Sequence, residues 1–354
     1  MKALITAGGH GTRLRPITHT QNKHLIPIAN KLMLQFALEF AQDAGIIDVG
    51  IVINSNDKSI KNSFGDGTDL GIQLTYIPQD APLGLAHVVK ISESFIGDDN
   101  FIFYLGDNIL VGGIRKFIGD FEKNSSNCHL VLSKVTDPNR FGVAEVVDDR
   151  IISIEEKPDN PKSDLAVTGI YLYDKNIFEA VNNIKPSPRG ELEISDAHQY
   201  FLDKGFDVSY SEITGWWKDT GKPSDLLDAN RLVLDNIKSD FKGSVDEDST
   251  VSGRVQIGAN SRVINSIIRG PAIIGDNTTI EESYVGPYSA IGKGCTISGS
   301  EVEYSIIMDG CLINQVQRRI ESSLLGNDVE ILRSKTRPAT HRFMLGDQSR
   351  IEIE

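Results

Sequence analysis

Three glycines near the start of the chain stand where a phosphate group could bind. Gly8, Gly9 and Gly11 follow a short apolar run, Lys2–Thr6, so the backbone carries no Cβ atoms at these positions of a predicted turn. Backbone N–H groups in such a loop can approach a phosphate closely, and the hydroxyl of Thr12 adds a further donor. The segment therefore predicts an anion-binding loop at the end of a buried strand.

Basic side chains lie immediately after the glycines. Arg13 and Arg15 carry guanidinium groups whose geometry matches phosphate oxygens, and Lys23 supplies an ammonium group. The glycine spacing is neither that of a Walker A loop nor that of a dinucleotide-binding turn. The alternative to an anion-binding loop is a glycine-rich turn whose charged side chains face solvent. The sequence favours the binding loop, because several kinds of hydrogen-bond donor lie close enough together in the chain to surround one anionic ligand.

Two loops after later strands carry polar groups of a different kind. In the segment 79–86, Gln79 offers an amide that can pair with the edge of a pyrimidine, and Gly84 allows close approach of the backbone. Asp107 follows the apolar run Phe101–Leu105, and Mg²⁺ typically takes one or two protein carboxylates together with substrate phosphates. Taken alone, either loop could be an ordinary turn.

In their order along the chain, these motifs closely resemble the signature of the sugar-1-phosphate nucleotidyltransferases. The string GGHGTRLRP at residues 8–16 is followed by Lys23-x-Leu25-x-Pro27, and QDAPLGLA at 79–86 is similar to the base-binding loop of that family. The resemblance implies that the chain binds a nucleoside triphosphate. The implied nucleotide-binding residues are Gly8, Gly9, Gly11, Thr12, Arg13, Gln79, Pro82 and Gly84.

Later blocks match the part of the family that surrounds the sugar phosphate. They lie at residues 141–142, 155–158, 167–171 and 189–194, and Phe141 replaces the usual tyrosine. On spacing alone Glu156 and Lys157 would be a solvated ion pair, but the resemblance implies that Glu156 accepts from sugar hydroxyls and Lys157 neutralises the phosphate. The implied sugar-phosphate-binding residues are Leu105, Gly142, Glu156, Lys157, Val167, Tyr171, Arg189 and Glu191.

The segment 216–221 matches the WxDTG block of the family and supplies a second acidic residue. The resemblance therefore implies Mg²⁺ as the cofactor, with Asp107 and Asp219 as its ligands, although Asp219 could instead cap the helix expected from Ser224. The implied catalytic residues are Arg13, Lys23 and Lys157. Their task is to neutralise charge between two anions, for which no protein nucleophile is required.

The elements that must position these residues alternate between strands and helices. The apolar runs Val49–Ile53, Leu74–Ile77 and Phe101–Leu105 predict buried strands, whereas the spacing of apolar residues in Leu32–Ala44 and Ser224–Ile237 predicts helices. A further helix is predicted to open at Arg189, after a proline-rich turn, and to end near Gly205. This alternation predicts an α/β fold with a Rossmann-like, mainly parallel sheet and helices on both faces. In such sheets ligands bind beyond the carboxyl ends of the strands.

The pattern changes near residue 240. Aliphatic residues then recur at intervals of six, broken by a five and an eleven, which predicts a left-handed parallel β-helix rather than a sandwich with period-two alternation. The recurring residues are Ile257, Val263, Ile274, Ile280, Val285, Ile291 and Ile297. We therefore place a nucleotidyltransferase catalytic domain at 1–240 and a left-handed β-helix domain with a C-terminal tail at 241–354. Because the candidate catalytic residues all precede residue 240, we expect the β-helix to serve assembly or stability.

Composition narrows the class of partner. The 354 residues carry a net charge of −13, which disfavours binding to nucleic acid or to an anionic membrane. The three cysteines show no CxxC spacing, which argues against a disulfide framework and a zinc site. No apolar run approaches the length of a membrane span, so we expect a cytoplasmic protein. We also expect the chain to assemble as a homo-oligomer.

With its β-helix, the chain most resembles the long form of the glucose-1-phosphate thymidylyltransferases. The resemblance implies in-line transfer of a thymidylyl group from dTTP to glucose 1-phosphate, giving dTDP-glucose and pyrophosphate. Three alternatives remain: use of UTP or another sugar phosphate, a second acyltransferase site in the β-helix, and a non-catalytic sensor of sugar nucleotides. Residues 257–313 contain no histidine for acyl transfer, and a sensor would normally lose Arg13, Asp107 or Asp219.

Overall fold

The chain divides into two compact units in the computed structural model, which describes residues 1–334, 337 and 340–353. The first unit comprises Met1–His10 and Leu34–Asp219, and the second comprises Gly11–Met33 and Thr220–Glu354. The glycine loop therefore contributes to both units, since Gly8 and Gly9 belong to the first and Gly11 to the second. The domain boundary near residue 240 stays a prediction.

The first unit is built on one mixed sheet of nine strands. In chain order, the strands that precede residue 220 are β1 (Lys2–Thr6), β2 (Pro27–Ile28), β3 (Lys31–Leu32), β4 (Asp48–Asn54), β5 (Gln73–Gln79), β6 (Phe101–Leu105), β7 (Asn108–Leu110), β8 (Cys128–Lys134), β9 (Gly142–Val147), β10 (Arg150–Glu156), β11 (Leu165–Tyr173), β12 (Val208–Glu212) and β13 (Trp217–Asp219). Nine of them form the sheet, whereas β7 pairs with β13 in the first unit and β2 pairs with β3 in the second. The order is β10-β9-β11-β6-β1-β4-β5, with β8 beside β11 and β12 beside β8. Strands β6, β1, β4 and β5 run parallel, which confirms the predicted sheet.

Helices connect these strands. They are α1 (Met33–Asp43), α2 (Ser59–Phe64), α3 (Leu85–Ile91), α4 (Glu93–Ile96), α5 (Arg115–Asn124), α6 (Ile177–Asn183), α7 (Ile194–Lys204) and α8 (Pro223–Leu234). The helix expected to open at Arg189 begins only at Ile194, because Gly190 has a φ of 79° and lies outside the helical region. Among the described residues, none of the helices combines the length and apolar character needed to cross a bilayer.

The C-terminal strands form three parallel sheets, one along each face of a β-helix. They are β14 (Asp240–Phe241), β15 (Ser244–Val245), β16 (Thr250–Ser252), β17 (Val255–Ile257), β18 (Arg262–Ile264), β19 (Ile267–Arg269), β20 (Ala272–Ile274), β21 (Thr279–Glu281), β22 (Tyr284–Val285), β23 (Ser289–Ile291), β24 (Thr296–Ser298), β25 (Glu301–Glu303), β26 (Ile306–Ile307), β27 (Leu312–Asn314), β28 (Ile320–Glu321), β29 (Leu324–Leu325) and β30 (Glu330–Leu332). Each strand pairs with the strand three later in the chain, as a three-sided coil requires. Val263, Ile280 and Ile297 stack in the buried interior, so the predicted β-helix is confirmed.

Candidate active site

The loops that follow β1, β4 and β5 meet at the carboxyl ends of these strands. A Cβ atom placed on Gly8 would lie 3.5 Å from the backbone nitrogen of Asn54 and 3.5 Å from Oε1 of Gln79. Gln79 is the last residue of β5, so its amide lies beside the first part of the glycine loop. The first unit therefore brings two predicted nucleotide-binding residues, Gly8 and Gln79, into contact.

The amide of Gln79 is held by a histidine. Its Nε2 donates to Nδ1 of His87 on α3, at 3.1 Å, which requires that Nδ1 carry no proton. Burial lowers the pKa of His87, and the nearby charge of Lys90 lowers it further. His87 is therefore neutral at pH 7 and fixes which end of the Gln79 amide points away from it.

The loop around Gly84 is bound to a distant part of the chain. Gly84 has a φ of 99°, and a Cβ atom there would lie 2.4 Å from the carbonyl oxygen of Leu192. That carbonyl accepts from the N–H of Ala86 at 3.1 Å, and the N–H of Leu192 donates to the carbonyl of Leu83 at 2.8 Å. The predicted base-binding loop, with Pro82 exposed at its tip, thus rests on the predicted sugar-phosphate segment.

One candidate metal ligand, Asp219, ends β13, and the other, Asp107, directly precedes the neighbouring strand β7. Asp219 on β13 pairs in register with Asn108 on β7, the residue after Asp107. Asn108 donates from Nδ2 to Oδ1 of Asp107 at 3.0 Å and accepts at Oδ1 from Nε1 of Trp217. Asp219 does not occupy the N-cap position of α8, which belongs to Lys222. The structure therefore brings together both carboxylates that the sequence proposed.

Three carboxylates, including both candidate metal ligands, act on the hydroxyl of the buried Tyr171. Burial raises the pKa of the Tyr171 hydroxyl. The charges of Glu156, Asp107 and Asp219, in that order, raise it further, so all three act on one side chain. The described part of the chain has no cluster of three or more metal-ligating side chains. Two oxygen-donor carboxylates nonetheless suit a hard divalent cation that completes its coordination with water and substrate oxygens.

Glu156 contacts other residues that are predicted to bind the sugar phosphate. Its Oε1 is 3.2 Å from Nζ of Lys157 and 3.5 Å from a guanidinium nitrogen of Arg189, and its Oε2 accepts from the hydroxyl of Ser195 at 2.7 Å. Gly142 pairs with Glu156 across β9 and β10. A carboxylate, an ammonium and a guanidinium group thus lie within reach of one another, as recognition of a phosphorylated sugar requires.

The remaining residues predicted on the sugar side differ in exposure. Val167 and Tyr171 are 7% and 4% exposed on β11, so they belong to the hydrophobic core of the first unit. Leu105 is half-buried at the end of β6, and Glu191 is half-buried in the segment before α7. Arg189 donates chiefly to Glu193, at 2.8 Å and 3.2 Å, so this carboxylate holds its guanidinium group.

The cationic residues that follow the glycine loop, Arg13 and Lys23, belong to the second unit. Arg13 is exposed on the short turn Thr12–Leu14, and Lys23 begins the turn Lys23–Leu25. The hydroxyl of Thr18 donates to the carbonyl of Gly11 at 2.7 Å and supports the first of these turns. Thr12 and Arg13 therefore project from a segment with defined internal hydrogen bonds.

The sequence of this chain matches a known protein family. The nucleotidyl transferase family model matches residues 2–236. The chain belongs to this family. Along its whole length this nucleotidyl transferase is 48% identical to the glucose-1-phosphate thymidylyltransferase of Streptomyces antibioticus over 356 residues, covering 100% of both chains. It is 40% identical over 358 residues, again 100% of both chains, to the low-salt glycan biosynthesis nucleotidyltransferase Agl11 of Haloferax volcanii.

A solved structure shows the same likeness. The crystal structure of a UDP-glucose pyrophosphorylase complexed with UDP-glucose is 25% identical to this nucleotidyl transferase and superimposes with a TM-score of 0.60. The match covers 66% of this chain and 98% of that one. The family generally uses a divalent metal, and its members join a nucleoside triphosphate to a sugar phosphate.

Sequence reasoning missed the residues that orient the site of this nucleotidyl transferase. His87 orients Gln79, Asn108 orients Asp107, and Ser195 and Glu193 hold Glu156 and Arg189. Asn108 and Glu193 stand beside or within the quoted motifs, so an inspection of adjacent polar residues could have found them. His87 and Ser195 directly follow the segments 79–86 and 189–194, so the same inspection could have found them as well.

Proposed function

We propose that this nucleotidyl transferase transfers a thymidylyl group from dTTP to glucose 1-phosphate. The observation that carries the proposal is the pairing of Asp219 with Asn108, the residue after Asp107, beside the buried Tyr171. The pKa of the Tyr171 hydroxyl is raised by the charges of both candidate metal ligands and by that of Glu156, which is predicted to bind the sugar. The nucleotide and the sugar come from the name of the full-length relative. A homo-oligomeric assembly and a cytoplasmic location remain predictions.

The reaction needs positioning and charge neutralisation rather than a protein nucleophile. A phosphate oxygen of glucose 1-phosphate forms a bond to the α-phosphorus of dTTP, while the bond to the bridging oxygen breaks and its electron pair leaves with pyrophosphate. In this proposal Arg13 and Lys23 bind the triphosphate and Lys157 binds the sugar phosphate. At about 4 Å and an effective dielectric near 20, each cation contributes roughly 4 kcal/mol of attraction before desolvation.

Mg²⁺ is the proposed metal, with Asp107 and Asp219 as its protein ligands. When bound, it would act as a Lewis acid toward phosphate oxygens and lower the repulsion between the two substrates. Asn108 holds Asp107 in place through its amide, at 3.0 Å. Glu156, held by Ser195, is proposed to accept hydrogen bonds from hydroxyls of the sugar.

A pyrophosphate-release assay tests the proposal with a panel of triphosphates and sugar phosphates. We expect the highest kcat/KM for dTTP with glucose 1-phosphate. Tight binding of dTDP-glucose without pyrophosphate release from any pair would favour the sensor alternative. Release of pyrophosphate only with another pair would replace the proposed substrates but keep the reaction class.

Discrimination between bases is expected to be modest. Thymine and uracil present the same hydrogen-bonding edge and differ by one methyl group, so Gln79 alone cannot separate them. A methyl contact changes kcat/KM by roughly 10- to 200-fold. We therefore expect dTTP to be preferred and dUTP and UTP to be used measurably. A dTTP to dUTP ratio above about 10⁴ would require that closure of the site depends on the base, and a preference for UTP would contradict the thymidylyl assignment.

The affinity for dTTP is expected to depend on the protonation of His87. The pKa of His87 is lowered from 6.5, so Nδ1 accepts from Gln79 above that pKa and loses the bond as the pH falls through it. We expect the KM for dTTP to rise by up to about tenfold at low pH, the effect of one hydrogen bond.

The variant His87→Gln supplies the comparison, because its amide can accept from Gln79 at any pH. The titration of the triphosphate itself is common to both proteins and cancels in the ratio of their KM values. Wild type should lose affinity more steeply than the variant. Parallel pH profiles would show that His87 does not control the orientation of Gln79.

A further inference from the structure

The β-helix contacts the segment that carries Arg13 and Lys23. On α8, Asn230 accepts at Oδ1 from the N–H of Ala29 at 2.8 Å and donates from Nδ2 to the carbonyl of Tyr288 at 2.9 Å. Beside it, Nδ2 of Asn30 donates to the carbonyl of Ile291 at 2.6 Å. Ala29 and Asn30 form the two-residue turn between β2 and β3, so this hairpin is tied to the coil that contains β23.

A second contact lies two coils further along the β-helix. A Cβ atom on Gly326 would lie 3.3 Å from Cδ1 of Ile17, so Ile17 packs against this coil. Ile291 pairs in register with Ile307, which pairs with Leu325, the residue before Gly326. Because adjacent coils are about 4.8 Å apart, the two contacts are separated by about 10 Å along one edge of the β-helix.

Short links connect these contacts to the cations. The hydroxyl of Thr18, next to Ile17, donates to the carbonyl of Gly11 at 2.7 Å, and the N–H of Leu14 donates to the same carbonyl at 2.9 Å. A Cβ atom on Gly11 would lie 3.0 Å from Cβ of Lys23. The turn of Arg13 and the start of the Lys23 turn therefore share one support, which rests on the β-helix.

We propose that the β-helix positions the active-site cations and thereby sets the affinity for the nucleoside triphosphate. Asn30, Asn230 and Gly326 are the positioning residues. This inference rests on the proposed function, in which Arg13 and Lys23 bind the triphosphate. It gives the C-terminal unit a role beyond the assembly or stability expected from the order of the motifs.

The substitution Asn30→Gly tests the first contact. Asn30 has a φ of 59°, so glycine keeps the turn without strain and removes only the side chain. We expect the KM for dTTP to rise about tenfold, equivalent to ~1.4 kcal/mol, while the KM for glucose 1-phosphate changes by less than about twofold. Asn260→Gly is the matched control, because Asn260 also has a φ of 59° but its side chain donates to Asn277 within the β-helix.

The second contact is tested by rescue. Gly326→Val should displace Ile17 and raise the KM for dTTP about five- to tenfold. Adding Ile17→Ala should bring the KM part of the way back to the wild-type value, because the smaller side chain leaves room for valine.

The same measurements on Arg13→Ala distinguish a failure of the proposed function from a failure of the proposed role of the β-helix. An unchanged KM for dTTP in Arg13→Ala contradicts the proposed function, whereas a raised KM in Arg13→Ala with unchanged values in Asn30→Gly and Gly326→Val overturns only the role of the β-helix. A lower melting temperature in those two variants with no change in KM also overturns it.

Discussion

Replacing Asp107 or Asp219 by asparagine should lower kcat/KM by about 100- to 1000-fold, or roughly 3–4 kcal/mol of transition-state stabilisation. Each substitution removes one of the two negative charges that would hold Mg²⁺ and keeps the size of the side chain. The fold should survive, because an amide at position 107 can still accept from Nδ2 of Asn108. Initial rates at limiting and at saturating Mg²⁺ measure the effect.

Asp43→Asn provides the control for this prediction. Asp43 is exposed at the end of α1, so its substitution alters net charge by the same amount without touching β7 or β13. We expect its kcat/KM and its Mg²⁺ dependence to equal those of the wild type. Near wild-type turnover of both site variants in limiting Mg²⁺ would falsify the assignment of Asp107 and Asp219 as metal ligands.

The substitution Gly84→Ala should damage both stability and nucleotide binding. Gly84 has φ 99° and ψ 169°, a region that residues with a Cβ rarely enter, and the new Cβ would lie 2.4 Å from the Leu192 carbonyl. Relief requires the loop to move off Leu192, which breaks the hydrogen bonds that join it to the segment before α7. We expect a loss of at least about 3 kcal/mol in the free energy of unfolding and a KM for dTTP raised more than tenfold.

Gly97→Ala separates backbone strain from the loss of the contact. Gly97 also has a positive φ, 64°, but a Cβ atom there would meet nothing within 4 Å. Its free energy of unfolding should fall by only about 1–2 kcal/mol, and its KM for dTTP should stay at the wild-type value. Equal losses in the two variants would show that strain alone accounts for Gly84→Ala. Chemical denaturation and initial rates give both quantities.

Signals that are local in sequence predicted most of the fold. The glycine loop, the apolar runs of β4, β5 and β6, and the six-residue recurrence of aliphatic residues each arise from neighbours along the chain. Such patterns are set by which face of a strand or coil is buried, so they can be recognised without knowing the partner. The start of α7 was expected too early because the left-handed conformation of Gly190 leaves no trace in that periodicity.

The candidate site was recognised as a set of residues, but its support was decided by tertiary structure. The chain must fold before Asp219 can pair with Asn108, before Leu192 can hold the loop of Gly84, and before His87 can fix Gln79. The contacts of Asp219 and Leu192 join segments that are far apart in the chain through a few hydrogen bonds, and such bonds impose no period on the sequence. His87 lies closer to its partner in the chain, but its one hydrogen bond to Gln79 likewise leaves no periodic pattern.

The same reasoning applies to the β-helix and the glycine loop. By itself the sequence indicated candidate phosphate-binding residues at the start of the chain and a repeat at its end. Only the tertiary structure places Asn30 against Ile291 and Ile17 against Gly326, across more than 250 positions in the chain. The physical reason is that backbone carbonyls and glycines are available at almost every coil of the β-helix, so which of them receives the segment depends on the packing of the whole second unit.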